Sequence, residues 1–112
     1  TCAVTGVFGA AQAYIAAEAG ARFVIPYFNR TTRLAGSGAA LVAEIAGVLR
    51  DGFCEILAAS IKSPAEAVDA LLAGAHHLTV PWQVLTGMAN HRLTELALDE
   101  FADAARSSPA HE

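Results

Sequence analysis

The amino-acid sequence predicts a single parallel α/β domain. Four apolar runs typical of β-strands, at residues 3–8, 22–28, 53–60 and 76–80, are each followed by a stretch typical of a helix. This alternation favours parallel strands that are joined by right-handed helical crossovers. With 112 residues, of which 54% are hydrophobic, the chain is long enough for one such domain with its own core.

The first two units are predicted from strand-forming runs and the polar residues that end them. Residues 3–8 (AVTGVF) precede a helix predicted at 9–19, and residues 22–28 (RFVIPYF) lead into a long polar connection at 29–38. Short apolar runs of this kind are typical of buried parallel strands. Gly36 and Gly38 give the connection a flexible backbone just before the next helix, which is predicted at 37–50.

The third unit has the clearest helix signals. After the strand at 53–60, the segment Ser63-Pro-Ala-Glu66 forms a capping box with proline at the first helical position. The helix predicted at 64–73 then ends before Gly74. The fourth strand, at 76–80, stops at Pro81 and precedes helices predicted at 82–90 and 92–106, and the polar residues 107–112 are expected to be a frayed tail.

A weak internal repeat indicates how the units are arranged. The segments AQA at 11–13 and AEA at 65–67 precede AGA at 19–21 and 73–75, and the strand after each copy stops at a proline. Four βα units are half of an eight-stranded barrel, so residues 1–112 are predicted to form one half-barrel domain. A half barrel leaves two strand edges and an inner face open, which predicts completion by a partner chain or by a second copy.

Charge and composition exclude several functions. The net charge of −4 provides no basic patch for nucleic acid and no polybasic signal for a membrane surface. No apolar run reaches the roughly 18 residues of a membrane span, and no secretory signal pattern is present. Cys2 and Cys54 lack redox-type spacing, which favours a reduced, cytoplasmic protein. The first residue, Thr1, fits a natural Met-Thr start from which an aminopeptidase has removed the methionine, and it also fits a shortened chain.

Polar side chains that follow two of the predicted strands form a candidate phosphate site. Arg30 follows the second strand, and Ser60 and Lys62 follow the third. The carboxyl ends of parallel barrel strands meet at one face, so these side chains are expected to lie together. A guanidinium group, a hydroxyl group and backbone amides are the groups that bind a phosphate dianion. Lys62, the only lysine, is expected to contact the phosphate; the alternatives are a solvated charge and a Schiff-base nucleophile.

Thr5, Tyr27 and Asn29 are further candidates, each with a structural alternative. Thr5 either supports the first strand or orders a water in the barrel interior. Tyr27 is either a rim aromatic or a phenol that activates a water beside a basic or amide partner. Asn29 either shapes the turn or contributes a polar contact to the ligand.

Other chemistries lack a pattern in the sequence. The histidines have no third ligand at useful spacing, so no metal site is predicted; they are His76, His77, His91 and His111. The glycine patterns of dinucleotide-binding and phosphate-binding loops are absent, as is the nucleophile elbow of serine hydrolases.

Five segments in this order resemble the C-terminal half of the transaldolase family, closest to its small fructose-6-phosphate aldolase type. They are residues 4–12 (VTGVFGAAQ), 19–30 (AGARFVIPYFNR), 36–38 (GSG), 56–64 (ILAASIKSP) and 72–81 (LAGAHHLTVP). The resemblance covers nearly the whole chain. It implies a (β/α)8 TIM barrel that forms a Schiff base with a ketose or dihydroxyacetone and uses no metal or organic cofactor.

The resemblance also implies a role for each candidate residue. Thr5 would help to hold the catalytic water, and Tyr27 would transfer protons, as in the aldolase-type branch. Arg30 and Ser60 would bind the sugar phosphate, with Lys62 near it. Asn29 stands where transaldolases often have glycine, and is taken as a substrate-binding candidate with the other three.

The chain departs from the family in one large respect. The family's Schiff-base lysine lies on the strand before the one that holds Thr5, and its acidic and amide helpers lie earlier still; none of that sequence is present. We therefore expect a split, heteromeric aldolase or transaldolase whose second polypeptide carries barrel units 1–4 and the lysine, in a larger hetero-oligomer. A truncated fragment is the other explanation. The alternative function is a non-catalytic half-barrel scaffold or regulatory subunit, and aldol cleavage and three-carbon transfer both remain open.

Overall fold

The computed structural model of the protein describes residues 2–49, 52–90 and 92–107. Strands and helices alternate along these residues, which confirms the predicted α/β organisation. The elements are β1 Ala3–Val7, α1 Ala10–Glu18, β2 Phe23–Pro26, α2 Phe28–Ala35, α3 Gly38–Leu49, β3 Glu55–Ala58, α4 Pro64–Ala73, β4 His77–Leu78, α5 Trp82–Ala89 and α6 Arg92–Ser107.

The four strands form one parallel sheet in the order β1-β2-β3-β4. Ala3, Phe23 and Glu55 are in register across the first three strands, and Leu57 pairs with His77 of β4. Sequential parallel strands with helical crossovers are the arrangement of one half of a TIM barrel. The fold expected from the sequence is confirmed at that level.

One face of the sheet packs against helices and forms the core. Val24 of β2 and Ile56 of β3 are fully buried there, together with Val42 and Ile45 of α3. Side chains alternate between the two faces of a strand, so the intervening residues point to the opposite face. We call that opposite face the inner face; it carries Thr5, Phe23, Ile25, Glu55, Leu57 and His77, all of them exposed or half-exposed.

The predicted polar connection at 29–38 is wrong in part, because most of it is the helix α2. Its threonines satisfy backbone carbonyls within the helix: Thr31 Oγ1 donates to the Tyr27 carbonyl (2.7 Å) and Thr32 Oγ1 to the Phe28 carbonyl (3.1 Å). Phe28 and Thr31 are buried, one turn apart on the same side. The helix ends at Gly36, whose φ of 107° favours glycine.

A close approach between α2 and α3 explains the second glycine of this segment. The Gly38 amide donates to Thr32 Oγ1 (2.9 Å), which joins the start of α3 to the end of α2. A Cβ atom at position 38 would collide with the backbone carbonyl and the ring of Phe28. Glycine is therefore needed here for space.

The N-cap and the proline start predicted for α4 are confirmed, whereas the reciprocal bond of a capping box is not formed, because the Glu66 carboxylate accepts from the backbone amide of Lys62 rather than of Ser63. Ser63 Oγ accepts a hydrogen bond from the Glu66 amide (3.1 Å), Pro64 opens the helix, and Gly74 ends it with a φ of 124°. The last helix, α6, continues to Ser107, and residues 108–112 of the predicted tail lie outside the described residues, as do His91 and His111.

In the part of the chain that the structure describes, no single helix is long and apolar enough to cross a bilayer. The helices α2 and α3 reach that length and composition only when they are counted together, and they meet at a bend of 115°.

Candidate functional site

An open cleft of about 500 Å³ lies at the carboxyl ends of the strands. It is lined by Thr5, Ile25, Tyr27, Arg30, Ala59, Ser60, Lys62 and Thr79. Five of the six candidate residues from the sequence therefore lie around one cavity. This is the face at which (β/α)8 barrels place their active sites, because the loops that follow the strands converge there.

Tyr27 lines this cleft and has the most defined contacts of its side chains. Its phenolic oxygen lies 2.9 Å from Thr5 Oγ1, so the two hydroxyl groups share a hydrogen bond. The ring packs edge-on against Phe8, with 5.7 Å between centroids, and the Arg30 guanidinium lies 5.1 Å from the ring centroid. The phenol is thus oriented by an aromatic contact, a cation–π contact and a hydroxyl partner.

The position of Thr5 depends on an irregularity in β1. The register between β1 and β2 shifts between Thr5 and Val7, and Gly6 has a φ of 72°, which a side chain would strain. A bulge of this kind re-aims neighbouring side chains and is frequent beside active sites. Thr5, in register with Ile25, thereby directs its hydroxyl to Tyr27.

Ser60 adopts an unusual backbone conformation in the loop after β3. Its φ of 60° makes it the only non-glycine residue with positive φ among the described residues. Such a conformation costs free energy and persists where surrounding contacts enforce it. Here the backbone amide of Asn29 donates to the Ser60 carbonyl (2.8 Å), and the backbone amide of Phe28 donates to the Ala59 carbonyl (2.8 Å).

Asn29 is placed differently from the other candidates. It does not line the cleft; its side-chain Nδ2 donates to Glu66 Oε2 (2.9 Å), and its Oδ1 accepts from Arg33 Nε (2.9 Å). The other oxygen of Glu66 accepts a hydrogen bond from the Lys62 amide (2.8 Å). The sequence identifies Glu66 only as part of a helix cap, and its contact with Asn29, 37 residues away, has no local signal.

A second polar cluster lies at the amino ends of the strands, away from the cleft. Glu55 Oε1 lies 3.0 Å from Arg22 Nη2 and 3.1 Å from His77 Nε2. The hydrogen bond with His77, assisted by the charge of Arg22, lowers the pKa of the Glu55 carboxyl. His76 instead accepts a hydrogen bond from the Ile56 amide at Nδ1 (3.0 Å).

His76 and His77, the two histidines within the described residues, do not belong to a set of three potential metal ligands. No group of three or more histidine, cysteine, aspartate or glutamate side chains converges within residues 2–49, 52–90 and 92–107. Cys54 is buried beside the second cluster, and its burial raises the pKa of the thiol. Cys2 is exposed.

Parallel strands joined by helices, with a phenol, hydroxyl groups and two cationic side chains near their carboxyl ends, are the arrangement of half a (β/α)8 barrel. Sequence comparison gives the family. The profile of the "Transaldolase/Fructose-6-phosphate aldolase" family matches residues 1–111. The chain belongs to this family, and the resemblance in its motifs is confirmed.

Curated relatives show the same membership and define its extent. A "Probable transaldolase" of Caldicellulosiruptor saccharolyticus is 42% identical over 101 residues, covering 88% of this chain and 46% of the relative. A "Probable transaldolase" of Sorangium cellulosum is 39% identical over 108 residues, covering 95% of this chain and 50% of the relative. The chain thus spans about half the length of the curated relatives it matches.

Comparison with solved structures supports the fold. A structure of mandelate oxidase with benzoyl-formic acid superposes with a TM-score of 0.53 over 70% of this chain and 24% of that protein, at 22% identity. Likeness at this identity concerns the arrangement of strands and helices alone.

Proposed function

We propose that this chain is the C-terminal half of a split class I aldolase or transaldolase. It would act on ketose phosphates or dihydroxyacetone donors, with a second polypeptide supplying barrel units 1–4 and the Schiff-base lysine. The observation that carries the proposal is the cleft itself, in which Thr5 and Tyr27 form a hydroxyl pair with Arg30, Ser60 and Lys62 around it. The family match over residues 1–111, set against relatives about twice as long, fits one half of such an enzyme.

In this proposal the partner's lysine amine attacks the donor carbonyl to give a carbinolamine, which loses water to form an imine. Cleavage of the adjacent C–C bond releases an aldehyde and leaves an enamine. The enamine is then protonated, in an aldolase cycle, or adds to a second aldehyde, in a transfer. Either step leaves the product bound as an imine, which water hydrolyses to release the product and regenerate the lysine amine. Tyr27, hydrogen-bonded to Thr5, would move the protons through a water held between the hydroxyl groups and the substrate.

The cationic side of the cleft would hold the phosphate group. Arg30, in the first turn of α2, and Lys62, in the loop after β3, supply positive charge, and Ser60 of the same loop supplies a hydroxyl group, all at one end of the sheet. Fixing the phosphate at a distance from the reacting carbon converts binding free energy into orientation of the donor.

The decisive experiment is chemical trapping on the natively purified protein. Incubation with dihydroxyacetone and reduction with borohydride should leave a mass adduct on a second, co-purifying polypeptide and none on this chain. An adduct on this chain would place the amine at Lys62 or at the N-terminus and would contradict the proposed division of roles. The absence of both an adduct and a second chain would favour a non-catalytic half-barrel scaffold.

A further inference from the structure

We propose that Glu66 is a positioning residue which, together with Asn29, fixes the groups that bind the substrate phosphate. This inference rests on the proposed function and adds to it a residue that does not itself touch the substrate. Glu66 lies in the first turn of α4, where its backbone amide is already used in the cap.

The Glu66 carboxylate bridges two segments that are distant in sequence. Oε1 accepts from the Lys62 amide (2.8 Å), at the end of the loop after β3. Oε2 accepts from Asn29 Nδ2 (2.9 Å), in the first turn of α2. Hydrogen bonds to an ionised carboxylate are stronger than those between neutral groups, so this bridge is well suited to fixing a loop.

Each segment that Glu66 holds carries part of the phosphate site. Arg30 follows Asn29 directly in α2, whereas Ser60 and Lys62 belong to the loop after β3. The two segments are also joined by a hydrogen bond from the backbone amide of Asn29 to the Ser60 carbonyl (2.8 Å). Because Ser60 has a positive φ, its conformation requires such external contacts to persist.

The bridge uses only the backbone of Lys62 and therefore leaves its side chain available. The Lys62 ammonium and the Arg30 guanidinium form no ion pair within the described residues, and both side chains line the cleft. Glu66 thus stabilises a cationic loop without neutralising the charges that would meet the ligand.

The test compares variants in the natively purified protein, with a phosphorylated ketose and with dihydroxyacetone as donors. In Asn29→Asp, two carboxylates would face each other, and in Glu66→Ala the bridge would be absent. Both variants should raise KM for the phosphorylated donor about tenfold, the effect expected on losing a charge-assisted hydrogen bond. The KM and the kcat for dihydroxyacetone, which carries no phosphate, should stay within about twofold of wild type, a split between the two donors that general destabilisation would not produce.

A polarity swap supplies the rescue. In the double variant Asn29→Asp/Glu66→Gln, the glutamine amide donates to the new carboxylate while its oxygen still accepts from the Lys62 amide. KM for the phosphorylated donor should return to within about twofold of wild type, which indicates coupling between the two positions. Asp69→Asn, an exposed carboxylate change further along α4, is the matched control and should have no effect.

Hydrogen exchange gives a readout that does not depend on catalysis. The Lys62 amide should exchange at least tenfold faster in Glu66→Ala than in Asp69→Asn, because it loses its acceptor. Unchanged exchange would overturn the positioning role whatever the activity. If the wild-type protein has the same KM for the phosphorylated ketose and for dihydroxyacetone, the proposed phosphate site and this inference are both overturned. If Arg30→Ala removes the difference in KM between the two donors, and the Glu66 and Asn29 variants leave that difference unchanged, only the positioning role of Glu66 is overturned.

Discussion

At the scale of single residues, the phenol of Tyr27 is the group on which the proposed proton transfers depend most directly. The ring is held by Phe8 and Arg30, and the hydroxyl is held separately by Thr5. Removal of the oxygen alone therefore leaves the ring contacts in place. This separation makes Tyr27 suitable for a substitution that distinguishes chemistry from folding.

Tyr27→Phe should lower kcat in the assembled enzyme by about 10²–10⁴-fold, the usual contribution of a positioned general acid–base group. The free energy of unfolding should fall by no more than about 1 kcal/mol, because a half-exposed hydrogen bond is lost. Steady-state kinetics and thermal unfolding measure the two effects. Tyr14→Phe, an exposed tyrosine of α1, is the control, and equal activity of the two variants would remove Tyr27 from the mechanism.

The sequence was sufficient to predict that Arg30, Ser60 and Lys62 would lie together, because all three closely follow parallel strands, and in the structure they line one cleft with Thr5 and Tyr27. Their individual roles remain proposals. The side-chain direction of Asn29 could not be predicted, since it depends on the approach of α2 to α4. The ion pair between Arg22 and Glu55 could not be predicted either, because it depends on the register between β2 and β3.

At the scale of elements, α2 shows how a polar composition conceals a helix. Residues 29–33 (NRTTR) favour a loop by composition, yet Thr31 and Thr32 bond to the carbonyls four residues earlier and Phe28 anchors the helix in the core. Tertiary packing against α3 outweighs the local preference. The strands and the Ser63 N-cap of α4 were predictable because their signals are local.

The junction of α2 and α3 leads to a prediction about the two glycines of α3. Gly38→Ala should destabilise the protein by about 1–3 kcal/mol, because the new methyl group collides with the Phe28 carbonyl and ring. Gly47→Ala, exposed in the same helix with no atom near its Cβ position, should stabilise it by about 0.5–1 kcal/mol. Chemical denaturation measures both. Equal changes of the same sign would contradict the close approach seen at Gly38.

At the scale of the whole molecule, the described residues leave the inner face of the sheet uncovered. Its side chains are a mixture of apolar and polar groups, whereas the opposite face is packed against α1 and α3. In a closed barrel the inner face is filled by layers of side chains from alternating strands. The chain spans about half the length of its matched relatives, and the described residues form four strands of the eight that a closed barrel has.

Leu57→Asp tests whether the inner face is covered by a second polypeptide. Leu57 lies in β3 with its side chain on that face, so partner strands would bury the new carboxylate without a counter-charge. The variant should lose its co-purifying chain in native mass spectrometry while its circular dichroism remains that of an α/β fold. Leu72→Asp, on α4 where the side chain is 81% exposed, should retain the partner. If both variants keep the same partner, the complementary half does not cover this face; a complex of identical copies that Leu57→Asp dissociates would show that a second copy covers it.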